Sequence, residues 1–166
     1  MHQQRLQSMS KRNFSIPFSI VIALVLQIMP MPTIADLYRP DWVLLVLSYW
    51  ALALPNRVNV GVAFFTGLIL DVLLGTSIGV HSFAMCLCIY VLAANHKRLR
   101  NYSVWQQSII IGIIAALYNL VIFWIQHLIT DIYFLFDYLW PVASSMVIWP
   151  WLFWLLRKVR RQLRIR

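Results

Sequence analysis

Asp71 is the residue whose chemistry most needs an explanation, because it is the only carboxylate inside a long apolar run. An ionised carboxylate in hydrocarbon costs about 3 kcal/mol unless it is neutralised or paired. The candidate partners are Arg39 and His81, the latter just beyond the short turn from Gly75 to Gly79. We favour a structural hydrogen-bonding role over a contact with a partner or pocket, and both over proton or ion coupling.

The other polar residues do not form a catalytic constellation. Intramembrane hydrolysis would need two aspartates within apolar runs, a Ser and a His on facing helices, or an HExxH-type metal site. Ser48, Ser82, Ser144 and Ser145 have no obvious orienting base, and the histidines lack the i, i+4 spacing of metal ligands. The sequence therefore predicts no enzymatic activity and no cofactor.

Some polar groups in the apolar runs are more simply explained by packing. Asn119 and Gln126 are seven residues apart and share one helix face, where hydrogen bonds to other helices are worth about 1 kcal/mol each. Cys86 and Cys88 point to nearly opposite sides of a helix, so they cannot pair and are interpreted as buried thiols.

The elements that position these residues are predicted to be membrane helices. The chain is 61% hydrophobic and 11% charged, whereas a soluble protein carries about 25% charged residues. The second apolar run offers only about 20 Å of helix against a hydrocarbon core of about 30 Å, so we expect a tilted helix or thinned bilayer rather than a re-entrant hairpin. Six spans are predicted, at 14–31, 41–55, 58–75, 80–95, 105–130 and 139–156.

The charges orient these spans. With the N-terminus inside, the inside segments hold all of the 14 Lys and Arg residues except Arg39, and the outside segments hold four of the aspartates. Because Lys and Arg stay on the cytoplasmic side of short loops, we expect both termini in the cytoplasm of a multi-pass membrane protein. Residues 1–166 form one integral membrane domain, with a basic N-terminus at 1–13 and a basic tail at 157–166.

The basic tail and the tryptophans are both expected at membrane surfaces. The tail favours anionic lipid headgroups at about 1 kcal/mol per base; a cytoplasmic protein partner is compatible with this, and nucleic acid is the weaker alternative. A third alternative is that the basic tail only sets the membrane topology, in which case it needs no partner. The candidate tail contacts are Arg157, Lys158, Arg160, Arg161, Arg164 and Arg166. The expected interfacial anchors are Trp42, Trp50, Trp105, Trp140, Trp149, Trp151 and Trp154.

Several stretches carry a family resemblance. They are LQIMPMP at 26–32, RPDWVLLVLSYWALALPNRVNVGVAFFTGLILDVLLGTSIG at 39–79, WQQ at 105–107, FW at 123–124 and WPWLFWLLRKVRRQ at 149–162. In order and spacing they resemble the MreD family of rod-shape-determining proteins in its Gram-negative form. The resemblance covers nearly the whole chain.

The resemblance implies a non-catalytic inner-membrane component of the machinery that builds side-wall peptidoglycan. Family members act beside MreC, the actin-like MreB, and RodA with its penicillin-binding transpeptidase. Their fold is thought to be similar to the substrate-binding subunits of energy-coupling-factor transporters. His81 departs from the family, where Arg is frequent, so no fixed positive charge is expected there. The candidate fold or interface residues are Arg39, Pro40, Trp42, Pro55, Arg57, Asn59, Gly61, Gly67, Asp71, Gly75, Gly79, His81 and Asn119.

Two functional hypotheses follow. The first is a scaffold that binds MreC through helix faces and short outer loops, with the small pairs Ala63/Gly67 and Gly112/Ala116 letting a partner helix approach. The alternative is a membrane-embedded subunit that binds a small molecule or lipid substrate, by analogy of fold. An apolar cavity with convergent polar groups would favour the alternative, and a solidly filled bundle would favour the scaffold.

Overall fold

The computed structural model describes residues 2–30, 32, 38–129 and 140–162, with side chains from Ser15 onward. Throughout this part of the chain the regular structure is helical, which confirms the predicted all-α class. The helices are α1 (His2–Ile28), α2 (Trp42–Ala53), α3 (Val60–Leu74), α4 (Val80–Ala94), α5 (His96–Leu99), α6 (Val104–Ile129) and α7 (Trp140–Gln162).

One long helix lies in each predicted span, but the bounds differ. α1 begins at His2, so the basic N-terminal segment continues the first helix, and α7 runs on into the basic tail as far as Gln162. The four-residue helix α5 was not predicted. By length and composition α6 alone among the described helices could cross a membrane, while Ser15–Ile28, α2, α3 and α4 are apolar but shorter. The six-span topology therefore stays a prediction.

The helix α2 is the centre of the bundle. All its side chains from Val43 to Leu52 are buried, and it contacts α1, α4, α5, α6 and α7. A helix that is apolar on every side belongs inside a protein, because no face has to meet the surroundings. Its 12 residues span only about 18 Å. The short second span predicted from the sequence therefore corresponds to a helix that neighbouring helices enclose.

Two aspartates lie at one end of the bundle and three arginines at the other, whereas Arg39 contacts Gln27 near the start of α2. Asp71, beside the α3–α4 turn, and Asp41, at the start of α2, lie at the same end. Adjacent residues of α6 contact both regions, since the Tyr118 ring lies near the His81 ring and Asn119 donates a hydrogen bond to Asp41. We call this the acidic end. The other end, where α2 and α7 finish and α6 begins, holds Arg100, Arg157 and Arg160 and is called the basic end.

Two tryptophans predicted as interfacial anchors are buried instead. Trp50 and Trp149 are each 0% exposed, and the indole Nε1 of Trp50 donates a hydrogen bond to Ser19 Oγ at 2.8 Å. Closeness to a helix end along the sequence does not decide which face a side chain occupies. Trp105 and Trp151, by contrast, are exposed on the outside of the bundle.

The small residues on α3 and α6 serve packing inside the bundle. A Cβ atom on Gly67 would lie 2.4 Å from Ser82 Cα, so α3 and α4 are in backbone contact there. Ala63 is also fully buried, and a Cβ on Gly112 would meet Met146 of α7 at 3.2 Å. Helices of this chain already lie against Gly67 and Gly112, and Ala63 is buried, so the expectation that these three residues admit a partner helix is wrong. Ala116, the fourth residue of the two pairs, is half-buried.

The Gly67–Ser82 contact predicts a clear effect of one added methyl group. Gly67→Ala should lower the free energy of unfolding by about 1–3 kcal/mol, because the methyl group would overlap backbone atoms that cannot rotate away. Thermal unfolding in detergent measures this. The matched control is Gly112→Ala, whose methyl group would meet the flexible Met146 side chain. An unchanged or raised melting temperature for Gly67→Ala would contradict the contact.

Candidate functional site

Asp71 forms the centre of a buried hydrogen-bond cluster at the acidic end. The residue is 0% exposed, and its carboxylate accepts from the backbone N–H of Gly79 (2.9 Å) and of His81 (3.0 Å). The hydroxyls of Ser82 (3.1 Å) and Thr76 (3.2 Å) also donate to it. Every one of these donors comes from the α3–α4 turn or the first turn of α4. The carboxylate therefore ties α3 to the start of α4.

His81 is the predicted partner of Asp71, and the structure confirms this contact. Its Nδ1 lies 2.8 Å from Asp71 Oδ1, and because the carboxylate accepts, Nδ1 carries the proton. Charge-assisted hydrogen bonds of this kind are about twice as strong as neutral ones. The other predicted partner, Arg39, instead donates to the carbonyl oxygens of Gln27 (2.8 Å) and Met29 at the end of α1. Its positive charge is favourable at that helix C-terminus.

The turn that presents these donors depends on two glycines. Gly75 has φ of +65° and ends α3 with two bonds, Gly75 N–H to Val72 O (3.3 Å) and Thr76 N–H to Asp71 O (3.1 Å). This pairing is the Schellman arrangement, in which a left-handed residue satisfies the last carbonyls. Gly79, with φ of +105°, precedes α4. Both positions need a residue that adopts positive φ without strain.

A second polar cluster joins the start of α2 to three other helices. Asn119 Nδ2 donates to Asp41 Oδ2 (3.0 Å), which confirms the predicted interhelical bond. The backbone N–H of Asp41 donates to Ser145 Oγ (3.1 Å), and that of Trp42 donates to Gln27 Oε1 (2.9 Å). Neither the contact of Gln27 nor that of Ser145 was predicted from the sequence. Neither has a local signal, because the contacts depend on how the helices pack.

The remaining candidate residues shape the basic end. Asn59 caps α3, since its Oδ1 accepts from the N–H of Gly61 (3.0 Å) and Val62 (3.4 Å). Pro55 and Arg57 lie in the turn between α2 and α3. On the last turns of α7, Arg157, Lys158 and Arg161 are exposed and Arg160 is half-buried. Arg164 and Arg166 lie outside the described residues.

A large apolar groove lies between α1, α2 and α7, and we call it the α1–α7 groove. It has a volume of about 910 Å³ and its lining includes Ile22, Val46 and Leu155. The polar side-chain groups of its lining are the hydroxyls of Ser15 and Ser19 and the indole N–H groups of Trp42 and Trp151. The Ser19 hydroxyl already accepts from Trp50 and donates to Ile16 O (2.8 Å), whereas the buried Trp42 Nε1 has no partner within the described residues. In chemical terms the groove offers dispersion contacts to an elongated apolar occupant.

Two comparisons with known proteins give the same result, and a third finds nothing. The family model described as rod shape-determining protein MreD matches residues 8–159. A curated protein from Haemophilus influenzae, "Rod shape-determining protein MreD", is 36% identical over 152 residues, which cover 92% of this chain and 94% of that protein. No solved structure matches the chain. The expected likeness to energy-coupling-factor subunits therefore stays a prediction.

The Asp71 cluster predicts a large effect of a nearly isosteric change. Asp71→Asn should lower the free energy of unfolding by about 3 kcal/mol, because an amide nitrogen would replace an acceptor that N–H and O–H donors surround. Chemical unfolding in detergent measures this, with Ser77→Ala in the same turn as the control, since Ser77 is exposed. If Asp71→Asn were as stable as the parent but lost a binding partner, the carboxylate would serve recognition instead.

Proposed function

This chain belongs to the MreD family of rod shape-determining proteins, and on that premise we propose that it is a non-catalytic scaffold of the cell-elongation machinery. In this proposal it binds MreC directly in the inner membrane. Together with the MreB cytoskeleton, RodA and the penicillin-binding transpeptidase, it helps to position the enzymes of peptidoglycan synthesis. The cell keeps its rod shape as a result.

The exposed faces of the outer helices support a multi-pass location. On α3, Phe65, Ile69 and Val72 are exposed at helical spacing, and on α6 Ile109 and Ile113 are exposed in the same way. Contiguous apolar stripes on the outside of a bundle are unfavourable in water and favourable against lipid. We propose that the acidic end faces the periplasm and the basic end the cytoplasm, which leaves both termini cytoplasmic.

The observation that carries the partner proposal is the α1–α7 groove. Its lining on α1 runs from Ser15 to Leu26, a length of about 16 Å along the helix axis. We propose that the transmembrane helix of MreC occupies it, because a groove that follows a helix axis and offers mainly apolar contacts suits a second helix. This surface replaces the small pairs on α3 and α6, three of whose four residues are packed inside the bundle.

A small-molecule or lipid-substrate binding role remains the second candidate, and the same groove favours it. A volume of about 910 Å³ lies within the range of ligand cavities. Such cavities also carry several convergent polar groups that orient the ligand, and here the polar groups of the lining are two serine hydroxyls and the indole N–H groups of Trp42 and Trp151. The scaffold is therefore the better supported of the two.

The proposed orientation predicts opposite labelling of two introduced cysteines. In a chain with Cys86 and Cys88 replaced by Ala, Ser77→Cys lies in the α3–α4 turn and Asn101→Cys between α5 and α6; both positions are exposed. A membrane-impermeant thiol reagent added to spheroplasts should label Ser77→Cys and should reach Asn101→Cys only after permeabilisation. Labelling of both positions in intact spheroplasts would contradict the topology.

The groove predicts where MreC can be cross-linked. A photoreactive amino acid at position 22 or 155, both in the groove, should give a covalent adduct with MreC in cells. Positions 69 and 113 are the matched controls, because Ile69 and Ile113 are also exposed apolar residues but lie on α3 and α6. Immunoblotting detects the adducts. Adducts confined to the control positions would place MreC elsewhere, and a co-purified small molecule displaced by Ile22→Trp would favour the second candidate.

A further inference from the structure

A second, smaller cavity opens at the basic end, between the end of α2, the start of α6 and the end of α7. Its volume is about 190 Å³, roughly that of six water molecules. Three arginines line it, Arg100 from the α5–α6 connection and Arg157 and Arg160 from α7, together with Gln107 of α6. Tyr49 and Phe153 contribute aromatic walls. We call this cavity the arginine pocket.

Gln107, which lines the arginine pocket, carries an unpartnered hydrogen-bond acceptor. The side chain is 5% exposed, and its Nε2 donates to the carbonyl oxygens of Leu99 (3.1 Å) and Tyr102 (3.3 Å), which fixes the orientation of the amide. Its Oε1 is buried and has no hydrogen-bond partner within the described part of the chain. A ligand that reaches this atom must therefore bring a donor.

The charge of the pocket is not balanced by its own lining. No acidic side chain lines it, and the described aspartates, Asp41 and Asp71, lie at the opposite end of the bundle. Arg157 and Arg160 both lie near enough to Tyr49 to act electrostatically on its hydroxyl. Arg100 and Arg157 are exposed and Arg160 is half-buried. Guanidinium groups that line the same small pocket repel one another, and an anion between them relieves that repulsion.

We propose that Arg100, Gln107, Arg157 and Arg160 bind a phosphate group that carries a neighbouring hydroxyl, as in a phosphoglycerol. The arginine forks match phosphate oxygens, and the hydroxyl donates to Gln107 Oε1. A carboxylate of an acidic protein segment would also pair with the arginines. An ionised carboxylate has no hydrogen-bond donor, however, so it could not donate to Gln107 Oε1. The source of the group is either a phosphatidylglycerol headgroup or a soluble glycerol phosphate. This inference does not depend on which molecule occupies the α1–α7 groove.

The test uses the full-length protein in detergent, with ligand binding measured by native mass spectrometry. The probes are phosphatidylglycerol, phosphatidylcholine and sn-glycerol 3-phosphate. The double variant Arg100→Gln/Arg160→Gln should bind the phosphoglycerol probe at least about tenfold more weakly, because two charge contacts of partly exposed arginines are lost. The control Lys97→Gln/Arg161→Gln removes the same charge from the same two segments but from residues outside the pocket lining, and should bind within about twofold of the parent.

Each result distinguishes between the sources or overturns the site. Binding of phosphatidylglycerol but not glycerol phosphate assigns the pocket to lipid, and equal binding of both assigns it to the soluble ester. Equal weakening in the two double variants would show general charge attraction and overturn the pocket. If the pocket variant failed to fold, the parent protein alone would still test the proposal. Equal affinity for phosphatidylglycerol and phosphatidylcholine, together with no binding of glycerol phosphate, would overturn it. The arginines would then be assigned to binding an acidic protein segment.

Discussion

A carboxylate enclosed by apolar helices must find its hydrogen-bond donors within the chain, and much of the α3–α4 hairpin is organised by that need. The donors to Asp71 come from backbone and side chains that only a particular turn can bring together. The turn requires positive φ at Gly75 and Gly79, and the close approach of the helices requires the missing side chain of Gly67. Each of these sequence features is explained by the same buried charge.

The same physical requirement explains which parts of the fold the sequence could predict. Apolar runs predict that helices exist, and the in-run Asp71 and the nearby His81 predict a contact because the short turn places them together. The apolar runs do not predict which face each helix buries. α2 is apolar on every side, so its position at the centre has no periodic signal, and Trp50 and Trp149 look like interfacial residues although both are buried.

The contacts that join distant segments were out of reach for a related reason. Asn119 could be predicted to hydrogen-bond another helix, but its partner, Asp41, is set by how α6 packs on the start of α2. The arginine pocket is a similar case, since Arg100 and Arg160 are far apart in sequence and looked like parts of separate basic segments. Charge counting finds such residues but does not show that they converge.

The enclosure of α2 has a consequence for how the chain is made. α2 is synthesised before α7, the last of the described helices, yet α7 covers part of it: Tyr49 packs against Phe153, and Asp41, just before α2, bonds to Ser145. During translation the ribosome must therefore complete more than eighty further residues before that side of α2 has its neighbour. A nascent chain that stops before α7 has a core with one wall missing, so α7 is the helix that completes the packing around α2.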